Sequence, residues 1–375
     1  MTAGGYDGSV IDCDVHHAYG PATKLTPYIQ APWREFVSAS TMSLNPAQKH
    51  YPHPFGTNKR IDLVDDGGPT PGWDYDLMAS QLLDPFNIGR AILNYDVGHE
   101  SAHNNHYLAA ALASALNDWS LDTWLSRGDD RLYGSILVAS TLPTYAANEI
   151  RRLGAHPRMV GVLMVADGLG LPFGHPIYHP IFEAASEFDL PISLHFGADL
   201  WSKQGQLAAG GNPLSRTEFY TLLPQPAMHH ITSCISHGVF DKWPNVRLVL
   251  LETGYTWLPW LARTLDLQFS NLRRESPFVR NLPSETILTN VRIATQPYEP
   301  PEHSSHLIDL LSALDGIEDV IMFSSDYPHW DIDDADDVAK EFPPGWRAKI
   351  MYRNAEQTFR WPATGAAGSP SSRTI

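Results

Sequence analysis

The sequence predicts a (β/α)8 TIM barrel with loop insertions at the C-terminal face of its strands. Three observations predict it. Eight short apolar runs recur along the chain, each closing on polar or glycine-rich residues, and segments with helical spacing stand between them. No G-x-G-x-x-G or Walker-type fingerprint follows the first run, as a nucleotide-binding open sheet would require. Short β-branched runs buried on both faces read as parallel strands. Eight strand–helix repeats then favour a closed barrel over a doubly wound sheet.

The runs fall at 10–14 (VIDCD), 90–94 (RAILN), 132–138 (LYGSILV), 159–164 (MVGVLM), 191–195 (PISLH), 246–251 (VRLVLL), 291–294 (VRIA) and 320–325 (VIMFSS). Between the second and third, residues 107–126 carry Leu108, Ala111, Leu112, Leu116, Trp119 and Leu121 at helical spacing. A helix over 180–187 opens on Pro180, whose fixed φ suits a first turn. A further helix closes at 240–244, and another over 257–272 holds Pro259 in its first turn. Residues 40–80 are polar and rich in Pro and Gly, which predicts an insertion over the barrel mouth. Two more long loops are expected at 200–225 and 297–305. One barrel domain therefore accounts for residues 1–361, and the low-complexity tail 362–375 is expected to be disordered.

Composition bounds the function. With 375 residues, 43% of them apolar and 18% charged, the chain can bury a large core. The balance of 26 basic against 42 acidic residues gives −16, without a basic cluster, which argues against a nucleic-acid or anionic-membrane partner. Two cysteines, Cys13 and Cys234, are too few for a disulfide scaffold or a Cys-rich zinc module. No run approaches the ~18 apolar residues of a membrane span, and the first residues lack the basic and apolar regions of a signal peptide. A cytoplasmic protein is expected, and a large apolar barrel of this kind is expected to form a homo-oligomer.

Barrel chemistry sits where strands end and loops begin at the C-terminal face. The first run continues Asp14-Val15-His16, and residues two apart on a strand share a face. His195 ends the fifth run and Asp326 follows the eighth. Taken singly, Asp14 could cap a helix, His195 could be a hydrogen-bonded core histidine, and Asp326 could start a turn. Together, Asp14, His16, His195 and Asp326 form a mixed N/O ligand set for one divalent ion, Zn2+ or Mn2+, with room for a substrate oxygen.

These segments resemble the amidohydrolase superfamily. The resemblance rests on IDCDVH (11–16), LHFG (194–197) and SDYPH (325–329), with NDW (117–119), HPIFEA (179–184), GVFDKWP (238–244) and RNA (353–355) in support. The branch is the amidohydrolase 2 group, which includes aminocarboxymuconate-semialdehyde decarboxylase and γ-resorcylate decarboxylase. It implies a barrel with one divalent ion, held here by Asp14, His16, His195 and Asp326. Asp14 stands where the first of those decarboxylases has His and the second Glu, and the harder oxygen set favours Mn2+.

A second departure from the family concerns the strand-six position. Glu252 stands where both decarboxylases carry a catalytic His, which makes it a candidate base, acid or support for a ligand. His237 could supply an imidazole in its place. No lysine ends the fourth strand, so a single ion is expected, and Asp167 there could meet substrate or cap a loop. His329 and Arg292 are further candidates for substrate contact. His50, His53, His99, His103 and His106 are read as loop histidines.

The resemblance implies non-oxidative decarboxylation of an aromatic or unsaturated carboxylic acid. The residue set equally suits hydrolysis of a lactone, ester or amide, and a silent barrel that only binds ligand is the non-enzymatic alternative. The partner is in each case a small molecule.

Overall fold

The computed structural model describes residues 6–40, 58–65, 67–96, 98–165, 168–196, 211, 213–299 and 301–362. Most of the 40–80 insertion's first half, Asp167, residues 200–210 and the tail from 363 lie outside the described residues. So do His50 and His53 and the side chain of His99.

The eight strands are β1 (Val10–His17), β2 (Ile88–Tyr95), β3 (Leu132–Val138), β4 (Met159–Val165), β5 (Ile192–His195), β6 (Leu248–Leu251), β7 (Val291–Ala294) and β8 (Ile321–Met322). They pair in parallel and in sequence order, β1 to β8. That order rules out the doubly wound sheet, in which the strand order reverses at a switch point. Cys13 N donates to Phe323 O at 3.1 Å, Asp326 N to Asp14 O at 3.1 Å, and His16 N to Tyr327 O at 2.7 Å, so the end of β8 closes onto β1. These bonds explain why β8 keeps only two residues of regular ladder although an apolar run spans 320–325. Past Met322 the backbone bonds to β1 at Phe323, Asp326 and Tyr327.

Seven helices of eight residues or more occur among the described residues: α1 (His106–Ser120), α2 (Pro143–Leu153), α3 (His179–Glu187), α4 (Pro224–Ser236), α5 (Leu258–Leu272), α6 (Pro283–Asn290) and α7 (Ser304–Leu311). Proline stands in the first turn of α2, α3, α4, α5 and α6, where its missing N–H leaves no bond unmade. Asn105 caps α1, its side chain accepting from Leu108 N at 3.2 Å. The helix expected near 240–244 is the single turn Val239–Lys242, and part of the loop expected at 200–225 is the short helix Arg216–Leu222.

β1 departs from a regular strand where the chemistry is expected. Asp12 pairs with Ala91 but Val15 pairs with Leu93, so β1 carries one extra residue in the Cys13–Asp14 stretch. Bulges re-aim side chains at barrel rims. Asp12 fixes this one, its Oδ1 accepting from Ser325 N at 3.0 Å and Asp14 N at 3.2 Å. Asp12, Asp14, His16 and His17 are all fully buried, an unusual polar content for a strand with no exposed residue.

Candidate metal centre

Six side chains converge at the C-terminal end of the barrel. Asp14 and His16 come from β1, His195 from the end of β5, Glu252 from the residue after β6, and Asp326 and His329 from the loop after β8. The donor atoms of Asp14, His16, His195 and Glu252 all lie within 4.8 Å of one another, as do those of His16, Glu252, Asp326 and His329. His16 Nε2 is 2.9 Å from Asp326 Oδ1, 3.3 Å from Glu252 Oε1, 3.4 Å from His195 Nε2 and 3.6 Å from Asp14 Oδ1. His195 Nε2 is 2.9 Å from Glu252 Oε1 and 3.8 Å from Asp14 Oδ2.

Those spacings fit one ion. Donors bonded at about 2.0–2.2 Å to a tetrahedral or octahedral centre stand roughly 3.0–3.4 Å apart. Asp14 supplies a second test. Its Oδ1 accepts from Asn94 Nδ2 at 2.8 Å, while its buried Oδ2 has no hydrogen-bond partner. A buried carboxylate oxygen without a donor is costly unless a cation meets it. The residues present, three carboxylates and three imidazoles, therefore fit a divalent ion as a mixed N/O set.

Two of the six residues hold a backbone conformation that L side chains rarely adopt. Glu252 has φ 55° and Asp326 has φ 63°. Each costs about 1–3 kcal/mol and persists only where the surroundings over-determine it. The left-handed turn at each strand end brings its carboxylate into the cluster rather than along the strand alternation.

The electrostatics follow from packing charges in a dry site. Burial opposes the charge on His16, but Asp14 and hydrogen bonds to Asp326 and Glu252 prevail, and its imidazole is pushed up to about 10. Burial likewise opposes His329, which Asp326 nonetheless holds well above the usual imidazole range, with further bonds to Asp96 and Glu252. Glu252 is held well below the usual carboxylate range despite its burial, by the charge of His195 and by bonds from His16, His195 and His329. Asp326 is shifted upward by burial and by the neighbouring Glu252 charge. The carboxylates thus favour the protonated form of His16 and His329, and a cation would compete with those protons.

The remaining candidates lie elsewhere. His237 is exposed at the C-terminal end of α4, outside the cluster. Arg292 turns to the other end of its strand, where its guanidinium donates to Leu288 O at 3.2 Å and Val291 O at 2.8 Å, capping α6. His103 accepts from Asn105 N at 2.9 Å beside the start of α1, and His106 begins that helix.

Sequence reasoning missed Asp96 and Lys59. Asp96 Oδ1 meets His329 Nε2 at 3.0 Å, and Lys59 Nζ meets Asp96 Oδ2 at 2.6 Å. Asp96 follows the last residue of β2, so the strand-end rule applied to every strand would have found it. Lys59 carries no local signal, because it reaches the site only through the fold of the insertion. The mouth also has an aromatic wall. Trp330 Nε1 and Arg216 both donate to Tyr220 Oη, at 3.2 and 3.1 Å. Burial raises the Tyr220 phenol, which also feels the charges of Asp331, His329 and Glu252.

The model of the amidohydrolase family matches residues 11–361. The chain belongs to the amidohydrolase family. No curated protein shows significant similarity to it. Among solved structures, an amidohydrolase from Mycobacterium avium subsp. paratuberculosis K-10 is 22% identical, with a TM-score of 0.71, covering 94% of this chain and 99% of the other. A 5-carboxyvanillate decarboxylase from Novosphingobium aromaticivorans, solved with manganese, is 21% identical at a TM-score of 0.64, with 94% and 96% covered. A Rhizobium 2,6-dihydroxybenzoate decarboxylase is 17% identical at a TM-score of 0.65, with 93% and 98% covered. At these identities the likeness to the solved structures concerns the fold of this amidohydrolase.

Proposed function

We propose that this amidohydrolase catalyses the non-oxidative decarboxylation of an aromatic or unsaturated carboxylic acid, using one divalent ion. The observation that carries the reading is the convergence of Asp14, His16, His195, Glu252 and Asp326 at donor spacings that suit a single cation. Two of the similar structures are decarboxylases of aromatic acids, one with manganese, which supports the reaction class and Mn2+ over Zn2+. The Tyr220–Trp330 wall supports a planar substrate.

Asp14, His16, His195 and Asp326 would hold the ion, with Glu252 as a further donor. When bound, the ion supplies a Lewis acid for the substrate carboxylate and a neighbouring hydroxyl or carbonyl. The chain does the rest. The bond from the substrate carbon to its carboxylate breaks, carbon dioxide leaves, and the electron pair retained on that carbon takes a proton. His329 is the proposed donor of that proton, since Asp326 and Asp96, at 2.6 and 3.0 Å, favour its protonated form. His195, His16 and His329 hold Glu252 well below the usual carboxylate range, which speaks against it as the acid. Asp167, outside the described residues, stays a proposed substrate contact. His237 and Arg292 are not assigned a part.

Hydrolysis is the second reading, and one observation favours it. Glu252, held toward its ionised form within the cluster, suits a base that takes the proton from water attacking a lactone, ester or amide. A panel of hydroxybenzoates, unsaturated semialdehyde acids and lactones, followed for carbon dioxide release and for 18O incorporation, separates the two. Carbon dioxide without 18O in the product supports decarboxylation. Labelled product without carbon dioxide overturns it.

A further inference from the structure

We propose that Lys59 and Asp96 are positioning residues for His329, and that the strap carrying Lys59 is thereby part of the active site. The inference rests on His329 acting in the proposed reaction and adds residues that neither composition nor motif had assigned.

The strap is the part of the insertion that returns to the barrel mouth. Lys59 and His329 form an antiparallel bridge, Arg60 N donates to Pro328 O at 3.1 Å, and Trp330 N donates to Asn58 O at 2.9 Å. This backbone pairing lays residues 58–60 against the loop that carries His329. The Lys59 side chain, 6% exposed, then places its ammonium 2.6 Å from Asp96 Oδ2. Asp96, 8% exposed, uses its other oxygen on His329 Nε2 at 3.0 Å. His329 Nδ1 in turn meets Asp326 Oδ1 at 2.6 Å.

A buried Lys–Asp pair is a poor device for stability alone. Apolar residues of similar volume commonly serve as well or better, because two charges must leave water. What the pair does here is geometric. Asp96 occupies the outer nitrogen of His329 and fixes the ring plane, so only Nδ1 faces Asp326 and Glu252. Lys59 balances the Asp96 carboxylate, which would otherwise lie buried with one imidazole for its partner. A carboxylate that orients a histidine behind the reacting atoms is a recurrent arrangement, and its loss lowers activity or ion affinity by about 10–100-fold.

The test is the hydrogen-bonding state of the His329 ring. Histidine-selective 15N labelling, with His329 assigned by its disappearance in His329→Gln, reads both ring nitrogens in the ion-free protein and again with Zn2+ alone as the probe. We expect the Nε2 resonance to move in Asp96→Asn and in Lys59→Met, and to return in Lys59→Arg. Carbon dioxide release by the ion-loaded variants should fall by about 10–100-fold in the first two and recover in the third. An unchanged His329 resonance in Lys59→Met and Asp96→Asn would overturn the proposal. If the wild-type protein takes up no Zn2+, it is the metal-centre reading that fails, and the ion-free spectra still decide whether Lys59 and Asp96 hold the ring.

Discussion

Glu252 and Asp326 carry the account at the scale of single residues, because each accepts a left-handed backbone to deliver a carboxylate. Asp326→Asn should abolish turnover while circular dichroism stays unchanged; retained turnover would remove Asp326 from the mechanism. Glu252→Gln should weaken Mn2+ binding by about 10–100-fold, as read by calorimetry. A rate loss of about 10²–10⁴ with the ion retained would instead make Glu252 a proton-transfer group. Two buried histidines outside the cluster report on pH. Burial pushes His17 down to about 4 and His230 down to about 3. Below roughly pH 6.5 the unfolded chain binds protons at both that the folded chain refuses, so the stability these two contribute falls as pH drops toward 4, while the buried Asp12 and Glu100, pushed up to about 7 and about 8, act in the opposite direction. The difference in melting temperature between wild type and His230→Gln across that window checks this for His230, and it should shift in favour of the variant as pH falls.

Four of the six clustered residues were legible from strand-end motifs, because a side chain at the end of a barrel strand has few directions to point. Glu252 was legible as a position but not as a neighbour of His195, since the turn that moves it there is a backbone property with no residue signature. His237 drew attention as an imidazole near the sixth strand, yet it terminates a helix that ends at the surface.

At the scale of elements, α1 illustrates how the helical layer is tied to the barrel. Asn117 Oδ1 accepts from Leu137 N at 2.9 Å and its Nδ2 donates to Leu137 O at 2.9 Å, while Tyr95 Oη donates to the same Oδ1 at 2.9 Å. Asn117→Ala leaves those buried groups unpaired and should destabilise the fold by about 2–4 kcal/mol in urea denaturation. A change below 0.5 kcal/mol (roughly the scatter of surface substitutions) would contradict this. The strands were readable because double-sided burial leaves near-continuous apolar runs. The β1 bulge was not, since nothing in VIDCDVH distinguishes a bulged from a regular strand. The strap at 58–60 was hidden for a related reason, its pairing with 328–330 being non-local.

The molecule as a whole is an acidic barrel, −16 in formal charge, with a dense knot of carboxylates and imidazoles at one end. No helix among the described residues is long and apolar enough to cross a membrane. The expected self-association has a candidate surface on α5, where Trp260 and Leu267 are 61% and 60% exposed two turns apart; sedimentation of the purified chain checks it. Because the cluster binds protons in the absence of a cation, ion binding should release them and strengthen as pH rises from 6 to 8. Calorimetry in buffers of different ionisation enthalpy measures that release.

The most direct test is the ion content of the intact chain. After dialysis against Mn2+ or Zn2+ and removal of free ion, elemental analysis should find about one divalent ion per chain in the wild type and none in the Asp14→Ala/His195→Ala double variant. A wild-type chain that holds no ion, or a double variant that holds as much as the wild type, would contradict the account.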